Sequence, residues 1–198
     1  AHELGHGYHD FMIFDNRPLN TSYSMPVAET ASTFNENIVV NYAVKHAASD
    51  EEKLALLEGQ LSDVTQIICD IYSRFLFESK VVENRSENFM FADELCKIML
   101  DAQKEAYGDG LDHEVLHPFM WACKGHYYSA HLGFYNFPYA FGGLFARGLY
   151  AKFKQEGSAF LEKYNYMLKE TPVRSVEDVA KICDIDLTNK DFWLMSLH

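Results

Sequence analysis

Seven apolar side chains, Leu54, Leu57, Leu61, Val64, Ile68, Ile71 and Phe75, follow one another at alternating steps of three and four residues. That spacing lines one side of an α-helix and cannot be kept on one face of a strand. Ser49-Asp50-Glu51-Glu52 before it reads as a capping box. The run ends after about three heptads, so it is read as a helix packed along a globular core in preference to a coiled-coil dimer. The same period recurs along the chain and strand alternation is scarce, which predicts an all-α, multi-helix fold. A first helix places Leu4, Tyr8 and Phe11 on one side and His2, His6 and His9 on the other. A second runs from about Met25 to Lys45-His46, with Pro26 in its first turn and Val27, Ala31, Phe34, Ile38 and Tyr42 as its buried stripe. A fourth, after Ser86, carries Phe89, Leu95, Ile98, Met99 and Tyr107 and stops at Gly108-Asp109-Gly110. Between Asp112 and Pro138 the periodicity weakens and His, Tyr and Phe accumulate, which reads as a short helix followed by an irregular or extended segment near residues 125–137. Pro138 opens another helix, and short helices follow, one capped at Ser175 and one near Thr188.

With 198 residues, 48% of them hydrophobic, the chain can bury one sizeable core and is not a disordered sequence. Seventeen basic against 29 acidic side chains give a formal charge of −12, which repels nucleic-acid phosphates and argues against a DNA or RNA partner. No apolar run reaches the ~18 residues of a membrane span, so no membrane partner is expected. Cys69, Cys96, Cys123 and Cys183 form no Cys-x-x-Cys pair; they read as reduced, buried thiols of a cytosolic protein. The chain opens on Ala1 without an initiator Met and its chemistry begins one residue later, so residues 1–198 are expected to be the C-terminal part of a longer protein.

His2-Glu3-Leu4-Gly5-His6 matches His-Glu-x-x-His. Residues i and i+4 of a helix project two imidazoles to one side, close enough to share a zinc ion, and Glu3 is placed to reach a water on the metal as a general base. The metzincin continuation fails, because position 9 is His9 where a glycine is needed and position 12 is Met12 where a histidine is needed. A carboxylate from a second helix is then the route to a third ligand. Glu29 fits, and Glu36, two turns on, is suited to accept the second ring N–H of a ligand histidine; surface charge is the other reading of both. His9 competes as a ligand but lies ~10 Å along the helix axis from His2, which places it around the site or on its substrate rim.

Three segments resemble the oligoendopeptidase F branch of the thimet-oligopeptidase-like metallopeptidases: His2 to His9, Met25-Pro26-Val27-Ala28-Glu29-Thr30-Ala31-Ser32-Thr33-Phe34-Asn35-Glu36, and Phe134-Tyr135-Asn136-Phe137-Pro138-Tyr139-Ala140-Phe141-Gly142. The resemblance covers essentially the whole chain. It implies an α-helical fold with the zinc site between two helices, a cytoplasmic location, short peptides as substrates, and a channel between two halves of a much longer protein. By position it implies that His2, His6 and Glu29 hold Zn2+, that Glu3 is the general base, and that Tyr135 and Tyr139 bind substrate and the oxyanion. It also implies a histidine on the oxyanion side, assigned to His126 with His131 as the alternative. The resemblance further implies that most of the opposite channel wall lies in the missing N-terminal half. The isolated fragment is therefore expected to hold zinc weakly, to cleave poorly, and to self-associate through an apolar patch near Tyr135 to Phe141. Two other readings stand beside it: a zinc-stabilised helical binding module without turnover, which needs His9 or Glu36 as a fourth ligand, and another gluzincin-type hydrolase.

Overall fold

The computed structural model describes residues 1–197, and among them every regular element is helical. In chain order these are α1 (His2–Ile13), α2 (Met25–Ala28), α3 (Thr30–His46), α4 (Asp50–Thr65), α5 (Ile71–Arg85), α6 (Ala92–Tyr107), α7 (Phe137–Glu156), α8 (Ala159–Glu170), α9 (Val176–Ile182) and α10 (Lys190–Met195). No helix among the described residues is long and apolar enough to cross a membrane. The chain divides into two compact units, one formed by residues 1–60 and 141–198 and the other by residues 61–140.

The first unit is held by an apolar core. Ala31 and Phe34 from α3, Phe145, Ala146 and Leu149 from α7, and Phe160, Tyr164, Met167 and Leu168 from α8 meet Val179 and Phe192 from the two short helices. Phe34 stacks on Tyr164 with ring centroids 4.3 Å apart. Burial of this many large side chains, each contributing about 1.5–3 kcal/mol, dominates the stability of the unit. Gly148 belongs to the same packing, since a Cβ there would lie 2.4 Å from the Phe192 ring. The helix ends follow their local chemistry: Ser175 accepts the Asp178 N–H at the start of α9, and Asn189 accepts the Asp191 N–H at the start of α10.

The second unit has a smaller core, in which Phe77 of α5 and Met99 and Ala102 of α6 are covered by Leu76, Leu95, Ile98, Trp121 and Tyr127. The segment from 111 to 136 is built of turns and two 3-10 turns, Met120–Cys123 and Gly125–Tyr128.

Several expectations are corrected. The long third helix is interrupted by a π-helical turn, Gln66–Asp70, which separates α4 from α5. Over α4 its apolar seam is not packed inside the chain, since α4 has no buried residue and Leu54 and Leu61 are each 67% exposed, whereas Ile71, the seam position that opens α5, is buried. A three-and-four rhythm records that a helix is amphipathic and carries no information on what covers it. For the same reason Ile38 and Tyr42 of α3 are exposed although Val27, Ala31 and Phe34 are buried. The second helix breaks at Glu29, whose φ of −90° and ψ of 3° end α2 and make it the cap residue of α3. Phe89 precedes α6 and is exposed; the Phe91 N–H donates to the Glu94 carboxylate at the true start. Of the four cysteines only Cys183 is buried, and Cys123 is exposed.

Candidate metal centre

The four-residue spacing of His2 and His6 puts both rings on the side of α1 that faces α3, and Glu29 meets them from the break between α2 and α3. His2 Nε2 lies 3.2 Å from His6 Nε2 and 3.3 Å from Glu29 Oε2, while His6 Nε2 lies 3.6 Å from the same oxygen. These are the three residues among those described whose ligand atoms converge as a metal site requires. A tetrahedral ion bound at ~2.0–2.1 Å sets its ligand atoms about 3.3 Å apart. The three separations bracket that value, and two imidazoles with one carboxylate are a donor set that zinc accepts. The residues present therefore fit a zinc ion.

Two glycines make this approach available. A Cβ on Gly5, between the two histidines, would lie 2.4 Å from Ser32 Cα and 2.6 Å from the Ala31 carbonyl oxygen, so the backbones of α1 and α3 touch where no other residue fits. A Cβ on Gly142 of α7 would lie 2.9 Å from Glu29 Cβ, so α7 braces the carboxylate residue from its other side.

Groups around the three fix their orientation. Glu36 Oε1 is 3.1 Å from His2 Nδ1, and this contact leaves Nε2 of His2 directed at Glu29 and His6. The Ser32 hydroxyl, fully buried, lies within donating distance of both the Glu29 carbonyl, 3.0 Å, and Glu29 Oε2, 3.1 Å. Ser32 went unrecognised as a site residue in the sequence, where it reads as one small polar residue in a helix; its signal was its place three residues after Glu29, on the following turn. Glu3 is exposed beside His2.

His9 departs from the expected position on a rim. It is fully buried, its Nε2 lies 2.8 Å from the Thr171 hydroxyl, and its ring stacks on Tyr23 with centroids 3.9 Å apart. Burial pushes its pKa down to about 4, so it packs as a neutral ring. The side of α1 that carries histidines is the packed side, with Gly5, His9 and Ile13 buried, while Leu4, Phe11 and Phe14 are exposed.

In the second unit the His and Tyr-rich segment hangs on one side of α5. Tyr135 and Tyr139 meet through their hydroxyls at 3.1 Å, and the His126 ring centroid is 5.7 Å from that of Tyr135. His126 Nε2 is 2.7 Å from Asn136 Nδ2, whereas His131 is exposed. Arg74 donates to Asn136 Oδ1 at 2.7 Å and pairs with Asp70. Glu78 accepts the Phe134 N–H at 2.6 Å. Phe134 has φ of 54°, a left-handed conformation unfavourable for a bulky residue, and the Glu78 bond holds the chain through it into Tyr135 and Asn136. Burial raises the Glu78 pKa, offset in part by that N–H. Burial lowers the His126 pKa, with Arg74 and Lys124 acting in the same direction.

The chain is similar to known proteins over nearly its whole length. The oligopeptidase PepF of Bacillus subtilis is 26% identical over 195 residues, covering 96% of this chain and 28% of the relative. The oligoendopeptidase F homolog of Borreliella burgdorferi is 28% identical over 195 residues, covering 96% of this chain and 32% of the relative. The chain thus spans less than a third of the length of these curated relatives. In a crystal structure of a Chlamydophila abortus protein of proposed peptidase function, the same fold is found with a TM-score of 0.85 at 24% identity, over 99% of this chain and 33% of that one. The sequence profile of Peptidase family M3 matches residues 1–198, and the chain belongs to Peptidase family M3.

Proposed function

We propose that this chain carries the zinc site and catalytic base of an oligoendopeptidase that hydrolyses internal bonds of short peptides. The observation that carries the reading is the convergence of His2 Nε2, His6 Nε2 and Glu29 Oε2 at separations of 3.2 to 3.6 Å. His2, His6 and Glu29 hold the ion, which when bound polarises the scissile carbonyl and acidifies a water. Three protein ligands are the set of an open, catalytic site. Glu36 orients His2 through Nδ1 and Ser32 orients the Glu29 carboxylate. Glu3, next to His2 but not among the converging atoms, takes the proton from the attacking water and returns it to the leaving amine. His126, Tyr135 and Tyr139 are assigned as hydrogen-bond donors to the substrate carbonyl and its oxyanion by the family resemblance of their segment. Losing one such donor typically costs ~10²–10³ in turnover.

The test is Glu3→Gln in the longer protein of which this chain is expected, from its sequence, to be the C-terminal part. Cleavage of a quenched fluorescent short peptide is expected to disappear while zinc stays near one per chain. Loss of the metal would make Glu3 a ligand, and retained turnover would remove it as the base. The binding-module reading needs His9 or Glu36 as a fourth ligand, and neither is in the converging set: His9 Nε2 is turned to Thr171 and Glu36 meets the far nitrogen of His2.

A further inference from the structure

The hydrogen bonds of the second unit determine which nitrogen of His126 carries its proton. A guanidinium only donates, so the atom of Asn136 facing Arg74 NH1 at 2.7 Å is the amide oxygen. The amide NH2 then faces His126 Nε2 at 2.7 Å, and an NH2 group also only donates. Nε2 of His126 is therefore the bare, accepting nitrogen, and the proton of the neutral ring sits on Nδ1. The guanidinium fixes the sense of the Asn136 amide. Arg74 is buried and paired with Asp70 one turn earlier on the same side of the helix, and Asn136 is buried.

We propose that Arg74 and Asn136 are positioning residues that hold His126 as its neutral Nδ1–H tautomer, so that it serves as a hydrogen-bond donor to a peptide carbonyl and not as a base. The proposal rests on the reading of His126 as a substrate-side group, and it adds the form in which that group acts. A neutral ring with Nδ1–H donates at every pH at which the fold is intact, without first taking up a proton. The charged and titratable groups around it are Arg74 from α5, Lys124 and Tyr127 from the adjoining turns, and Tyr135; beyond them Asp70, in the π-helical turn before α5, pairs with Arg74, and Glu78 of α5 accepts the Phe134 N–H. The two cations disfavour imidazolium, in agreement with a neutral ring.

The experiment is long-range nitrogen NMR on the chain labelled with 15N-histidine, with His126 assigned by the signal lost in His126→Gln. In the unsubstituted chain near pH 7.5, His126 is expected to show a protonated Nδ1 and a bare Nε2. In Asn136→Asp the side chain still accepts from Arg74 but now has no hydrogen to give, so His126 is expected to protonate Nε2 and its pKa to rise above the ordinary value. Where that variant cleaves peptide, its rate is expected to fall by ~10² as pH rises through the new His126 pKa, because the proton then lost is the one on Nδ1. A merely structural role would not produce that pH dependence. Finding Nε2–H in the unsubstituted chain overturns the proposal without a variant, and an unchanged tautomer in a folded Asn136→Asp overturns it as well. A His126→Ala chain that cleaves peptide at the unsubstituted rate overturns instead the substrate role on which the proposal rests, a failure that the NMR result keeps separate.

Discussion

Substituting alanine at Gly5 tests whether the close approach of α1 and α3 is what assembles the metal site. The added methyl would meet Ser32 Cα at 2.4 Å, the Ala31 carbonyl oxygen at 2.6 Å and Ser32 N at 2.7 Å. All three are backbone atoms of a helix and cannot rotate aside. Relief to ordinary contact, about 3.5 Å, requires the two helices to part by roughly 1 Å. The separations from Glu29 to His2 and His6, 3.3 and 3.6 Å, then exceed the about 3.3 Å edge of a zinc tetrahedron by a similar amount. Overpacking of this kind costs about 3 kcal/mol at its upper end. Gly to Ala in a helix interior returns about 1 kcal/mol, so a net loss of about 2 kcal/mol is expected, or a melting point lower by about 4–8 °C for a chain of this size. Gly7 is the matched control, on the same helix with nothing within 4 Å of the place a methyl would take; there alanine is expected to raise stability by up to about 1 kcal/mol. Thermal melts followed by circular dichroism and zinc titration against a chromogenic chelator measure both effects. Gly5→Ala that melts with the unsubstituted chain and titrates with the same affinity would refute the argument, since the site would then not depend on helix contact.

Glu29→Ala is expected to abolish stoichiometric zinc binding, as it removes the carboxylate of the converging set, while Ser32→Ala leaves the ligands in place and weakens binding by about 10-fold. The same chelator competition ranks the two, and equal effects would deny Ser32 its orienting role. The buried His9 supplies a pH dependence. Its folded pKa, about 4, lies below the 6.5 of the unfolded chain, so the unfolded state binds more protons between these values. Its contribution is present above pH 6.5 and is lost as pH falls toward 4, by about 2 kcal/mol between pH 7 and pH 5. Urea midpoints at the two pH values, compared with those of His9→Phe, measure it; an unchanged difference in the variant would show that His9 titrates freely.

The apolar period was enough to establish helices, because amphipathicity is written into successive residues and survives without knowledge of any partner. Val27, Ala31 and Phe34 are buried as their spacing implies, whereas Leu54 and Leu61 have the same spacing and stand exposed; the covering surface belongs to tertiary structure. The His2 and His6 pairing on one side of a helix was likewise local, needing only four residues of regular backbone. The fate of His9 was not local. It shares that side, yet burial against Tyr23 and Thr171, whose residue numbers lie far apart, makes it a packing residue. The need for glycine at position 5 depends on an interhelical distance, which no spacing along the chain encodes, whereas Ser32 beside Glu29 is a local contact across one turn. The bonds from Asp70 through Arg74 and Asn136 to His126 span more than sixty residues of sequence. Sequence alone could nominate a histidine near the tyrosines; the nitrogen that bears its proton was decided by hydrogen-bond partners that only the folded chain brings together.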